Sequence, residues 1–153
     1  MHTTRVFAGI HSNRHSLVRK ALEFAQAHHD PISLNHIYRS WIFGTLIGSK
    51  IPSYSDFNLE IHAVSAILHD LAWDYTRVFA TKSKRFEVDS VNASSDFLTR
   101  KAPEVDERQL QIVWDGIALN TTPSLARYKE IKVALCHIGS RTILWVSNFP
   151  VVF

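Results

Sequence analysis

Apolar residues along this chain recur at helical spacing through most of its length. Leu17, Ala21, Phe24 and Ala25 fall near one face of a segment spanning Ser16–His29, and Asp30-Pro31 interrupts it, because the proline ring disfavours continuing a helix. A second helix is predicted from about Leu34 to Leu46, with Ser33 as N-cap, Ile37, Trp41 and Thr45 in line, and Gly48 ending it. Asp56 is placed to cap a third, whose stripe is Phe57, Ile61, Val64, Leu68 and Leu71. Residues 74–86 read as a polar loop, and Glu87–Arg100 and Glu107–Leu119 as two amphipathic helices separated around Pro103. Asn120-Thr-Thr-Pro-Ser124 punctuates, and Ala126–Ile138 reads as the last helix. Strand signals are sparse until Ile143–Val146, which reads as extended. The expected fold is all-α, a bundle of about six helices in a single domain over residues 1–153, with a divergent apolar tail over 143–153.

Composition narrows the classes that remain. At 153 residues, 46% apolar and 20% charged, the chain suits one folded domain with a real core. The formal charge of +3 is modest, and Lys82-Ser-Lys84-Arg85 is short and carries no interleaved aromatics, so no nucleic-acid partner is expected. No stretch reaches the roughly 18 uninterrupted apolar residues a spanning helix needs, and no basic-then-apolar leader is visible, so no membrane partner and a cytoplasmic location are expected. Cys136 is the only cysteine, which excludes an intramolecular disulfide and a cysteine-based zinc site.

Against this background the stretch AILHDLAWD at 66–74 is chemically out of place, since His69 and Asp70 sit inside an apolar run. Burying an unpaired charge or an unbonded polar group costs free energy, so a partner is required. Successive helical residues diverge by about 100°, so one side chain of the pair can lie at the edge of the inward stripe while the other reaches a neighbouring helix. His36, among apolar positions on the second helix, is the best third member. Two imidazoles and a carboxylate suit zinc or iron and leave positions open for water. The competing reading makes His69 a hydrogen-bonded core residue and Asp70 a helix cap or ion-pair partner.

Four segments in order carry a family resemblance. LNHIYRSW at 34–41 resembles an NHxxR-type helix, AILHDLAW at 66–73 an (A)LLHDLGW signature, RFEVD at 85–89 an RFEVDG stretch, and VWDGIAL at 113–119 a VWxAIALHT helix. Together they resemble the HD-domain metal-dependent hydrolase superfamily, in the branch of the fungal cyanamide hydratases. The resemblance implies one divalent ion, zinc or iron, held by His36, His69 and Asp70, with Asp70 also catalytic. The implied reaction adds ion-activated water to a small nitrile-like substrate such as cyanamide, giving urea.

Arg39, Trp73 and Asn120 are the expected substrate-binding residues. Arg39 is expected to orient a substrate or to bond a carboxylate near the site such as Glu60, with a simple structural ion pair as its alternative; for Trp73 and Trp114 the alternative is core packing. The chain also departs from the pattern. The family completes its site with an aspartate shortly after a glycine resembling Gly139, whereas GSRTIL at 139–144 holds no acid and Thr142 or Ile143 stands near that place. Asn120 replaces a histidine and Ala72 a glycine, and the likeness stops near Gly139, as it would in a truncated product. Asp115 is a candidate substitute ligand. The second reading is therefore a degenerate HD domain that binds rather than catalyses, with the apolar tail as an interaction or homo-oligomer surface. A phosphohydrolase of the same superfamily would need a basic pocket, for which Arg39, Lys82, Lys84 and Arg85 are the candidates.

Overall fold

Asp30 does not break the first two helices apart so much as start the second. Its Oδ1 accepts from the backbone N–H groups of Ile32 (2.8 Å) and Ser33 (3.1 Å), and its Oδ2 accepts from Ser33 Oγ (2.7 Å). Pro31 follows at the first helical position, where its missing N–H is not needed. The helix thus begins three residues before the predicted start, with Asp30 rather than Ser33 as its cap.

The computed structural model describes residues 6–7, 10–11, 16–52, 59–74 and 78–146. Its helices are α1 (Ser16–His28), α2 (Pro31–Gly48), α3 (Leu59–Leu68), α4 (Phe86–Lys101), α5 (Glu107–Ala118), α6 (Pro123–Ala126) and α7 (Ile131–Val146). The all-α class is as expected. One two-residue antiparallel hairpin, β1 (Val6–Phe7) with β2 (Ile10–His11), precedes α1 where no strand was anticipated. The predicted cap Asp56 and stripe residue Phe57 lie outside the described residues, as do tail residues 147–153 and, with them, the expected tail interface. No helix among the described residues is long and apolar enough to cross a membrane.

The core is organised around α3. Every residue from Ile61 to Leu68 is buried, and this helix packs against α1, α2, α5 and α7. A helix surrounded on all sides has no use for a polar face, which is why its sequence is nearly all apolar. The polar residues in its buried part are Ser65, whose hydroxyl donates to the Ile61 carbonyl (3.0 Å), and His62; Glu60 lies in the first turn, before the buried run. Around it, α5 is opened by a capping box between Asp106 and Gln109. The first and last turns of α4 carry Glu87 and Asp89, and Arg100 and Lys101, each sign matched to the helix dipole.

The last helix corrects two expectations. It starts at Ile131, five residues after the predicted start, the intervening chain being taken by short α6 and a turn; and it runs through Val146 instead of giving way to an extended segment at Ile143–Val146. Glycine and β-branched residues have low helix propensity, but packing outweighs these local preferences. Gly139 lies where α7 crosses α2, and a Cβ there would sit 2.4 Å from the Ser40 carbonyl oxygen and 3.0 Å from Gly44 N. The hydroxyls of Ser140 and Thr142 donate back to the carbonyls of His137 (2.9 Å) and Ile138 (2.8 Å), so both polar side chains are satisfied within the helix.

Candidate metal centre

The close approach of α2 to α3 brings the His-Asp pair against His36. The apolar run of α3 ends at Leu68, leaving His69 and Asp70 in the turn that follows. Several bonds fix that turn. Nδ1–H of His69 donates to the Ala66 carbonyl (2.8 Å), Ala72 N–H donates to Ser90 Oγ on α4 (3.0 Å), and His29, just after α1, donates from Nε2 to the Asp70 carbonyl (3.1 Å).

Three ligand atoms converge as a result. His36 Nε2 lies 3.2 Å from His69 Nε2 and 3.3 Å from Asp70 Oδ2, and His69 Nε2 lies 3.2 Å from the same oxygen. Nitrogen and oxygen ligands sit about 2.0–2.1 Å from zinc, so neighbouring ligand atoms in a tetrahedral site are about 3.3 Å apart. The triangle is therefore already of the size an ion needs. Because Nδ1 of His69 is committed to a backbone carbonyl, Nε2 is the nitrogen that faces the site, the arrangement common for a ligating imidazole.

The charges suit the same role. Burial lowers the pKa of His36, and His69 lowers it further against the opposing pull of Asp70, so this ring is neutral. Burial also works against protonation of His69, but the Asp70 carboxylate outweighs it and the pKa rises. Burial likewise opposes ionisation of Asp70, and contact with His69 and His36 overcomes it, so the carboxylate is held below its ordinary range. Without a cation the Asp70 carboxylate thus favours a proton on His69, beside a His36 ring whose protonation is disfavoured. A divalent ion would take the place of the His69 proton.

The triad forms one wall of a cleft of about 340 Å³. Trp73 and Phe86 make an apolar side, packed edge to face with ring centroids 4.9 Å apart. Asn120, Thr121, Ser140 and Arg141 supply the polar side. Of the expected substrate-binding residues, Trp73 and Asn120 are in the cleft wall. Arg39 is on the exposed side of α2 and outside the wall, although its charge still disfavours protonation of His36. Trp114 is exposed and also outside it. Asp115 is no substitute ligand: it pairs with Lys129 Nζ (2.6 Å) and accepts from Gln111 Nε2 (3.0 Å). In the cleft α7 offers Ser140 and Arg141, with no carboxylate beside the triad.

Phe86, Thr121, Ser140 and Arg141 were not anticipated as cleft residues. The RFEVD segment does contribute, by supporting the wall. Glu87 is buried, and hydrogen bonds from Arg85 and Thr121 overcome the burial penalty and lower its pKa. Cys136 is buried, its thiol pushed up to about 12 by burial and, to a smaller extent, by the Asp70 carboxylate. Comparison with known proteins returns no match to any family model, curated protein or solved structure.

Proposed function

We propose that this chain is a metal-dependent hydrolase or hydratase of the HD type, holding one zinc or iron ion through His36, His69 and Asp70 and adding water to a small nitrile-like substrate such as cyanamide. The observation that carries the reading is the triangle of Nε2, Nε2 and Oδ2, with sides of 3.2–3.3 Å, set in the wall of a cleft. A divalent ion bound there supplies a water of near-neutral pKa and Lewis-acid polarisation of the C≡N group.

The remaining work falls to the chain itself. Trp73 and Phe86 exclude bulk water on one side, and Asn120 donates from Nδ2 to an acceptor atom of the substrate. Asp70 binds through Oδ2 and keeps Oδ1 to receive a proton as the C–O bond forms; that proton returns to the nitrogen. Both hydrogens and the oxygen of water end on the product, which for cyanamide is urea.

The missing carboxylate on α7 favours a second reading, in which the domain binds an ion and a ligand without turnover. Elemental mass spectrometry of the purified protein, beside His69→Ala and beside a urea assay on cyanamide, tests both. About one equivalent of zinc or iron, lost in the variant, with urea produced, is expected. Metal without turnover of any small nitrile leaves the binding reading. Sub-stoichiometric metal that His69→Ala does not change overturns the site.

A further inference from the structure

The cleft wall holds a hydrogen-bond donor with no partner among the described residues. Asn120 is 2% exposed and lines the cleft, and its Nδ2 is buried with no hydrogen bond to any described residue. A buried amide donor left unpaired costs free energy, and such groups in folded proteins are nearly always satisfied. Its neighbours are accounted for: Thr121 donates to Glu87, and Ser140 donates to the His137 carbonyl. A ligand with an acceptor atom would complete Asn120.

The charge across the cleft is uneven. Asp70 is the only acidic side chain in its wall among the described residues, and Arg141 is exposed at its edge with no ion pair to any described residue. A divalent ion with two neutral imidazoles and one carboxylate carries net +1, and Arg141 adds another positive charge. Among the described residues, the adjoining trough beyond Trp73 and Phe86 has Asp30, Asp74 and Glu87 beside Arg85. An anion is therefore drawn to the Arg141 end and repelled from the trough. A cleft of about 340 Å³ is also within the range that encloses a whole organic ligand, well beyond a three-heavy-atom molecule.

We infer that the cleft takes a small organic anion: an amide or nitrile whose acceptor atom sits on Asn120, whose carboxylate pairs with Arg141, and whose apolar body lies against Trp73 and Phe86. This rests on the metal reading for part of its charge, but the Asn120 and Arg141 contacts do not need the ion.

Calorimetric titration with hippurate and with its uncharged amide, hippuramide, tests it, in the presence and absence of zinc. Hippurate is expected to bind at least tenfold more tightly than hippuramide. Arg141→Gln, at an exposed position, is expected to remove that difference while leaving zinc uptake unchanged. Asn120→Leu is expected to weaken both ligands at least tenfold. If hippurate fails to bind, or the two ligands bind alike to the unaltered protein, or Arg141→Gln leaves their ratio intact, the inference is overturned. A chain that takes up no zinc yet keeps the Arg141 and Asn120 effects loses the metal reading and retains the anion site. Stoichiometric zinc without those effects is the reverse outcome.

Discussion

His62 sets a pH limit on the stability of this fold. The ring is fully buried on α3, packed so closely on α2 that a Cβ at Gly44 would lie 2.4 Å from its Cε1. Burial lowers its pKa from 6.5 to about 4, against a smaller opposing contribution from the backbone of Trp41 and Lys132. The unfolded chain then binds a proton near pH 6.5 that the folded chain refuses until about pH 4. The depressed value means the contribution to stability is fully present above pH 6.5 and is lost as pH falls through the window between the two. At about 1.4 kcal/mol per pKa unit, the loss is about 2 kcal/mol by pH 5 and about 3 kcal/mol by pH 4, after which it levels off. Urea unfolding followed by circular dichroism from pH 7 to pH 4, on the native chain and on His62→Leu, isolates this effect. Whatever the absolute stability of the variant, its pH profile is expected to be flatter by about 3 kcal/mol across that range, because other titrating groups are common to both. Parallel profiles would refute the assignment of a neutral, buried ring.

Two further perturbations probe the packing that holds the cleft. Gly139→Ala puts a methyl group 2.4 Å from the Ser40 carbonyl, forcing α2 and α7 apart; a loss of about 2–3 kcal/mol in urea unfolding is expected, and an unchanged midpoint would mean the crossing is looser than described. Thr121→Val removes the hydroxyl that donates to the buried Glu87 carboxylate and accepts from Arg85 Nη2 (3.2 Å). It is expected to cost about 1–2 kcal/mol, and a change below about 0.5 kcal/mol would show that Arg85 alone satisfies Glu87.

Which parts of this architecture the chain announces follows from the kind of signal each part leaves. Helices α1, α4 and α5 have one apolar stripe and polar flanks, so periodicity alone placed them within a few residues. Asp30-Pro31 is ambiguous by nature, since the same dipeptide serves as a helix stop and as a cap followed by a first-turn proline; the cap bonds to Ile32 and Ser33 decide it. At α7 the local preferences and the packing disagree. Reading its end at Ile138 hid Ser140 and Arg141, both of which face the cleft. Arg39 failed for a geometric reason: three residues from His36 is about 300° of rotation, and the remaining 60° is enough to carry it from the cleft to the exposed side of α2.

The clearest limit on sequence reading is the pair His62 and His69. They are seven residues apart, one inside α3 and the other in the turn that follows it, and both are buried. Both meet α2, which presents Gly44 to the first and His36 to the second. Against a glycine the ring is tightly enclosed, and it stays neutral down to about pH 4. Against His36, with Asp70 next in sequence, the same side chain becomes one corner of a candidate ligand triangle. Neither outcome is written in the periodicity of α3. The neighbouring aspartate is what made His69 conspicuous, and the residue facing it across the helix crossing decides whether a buried histidine is structural or chemical.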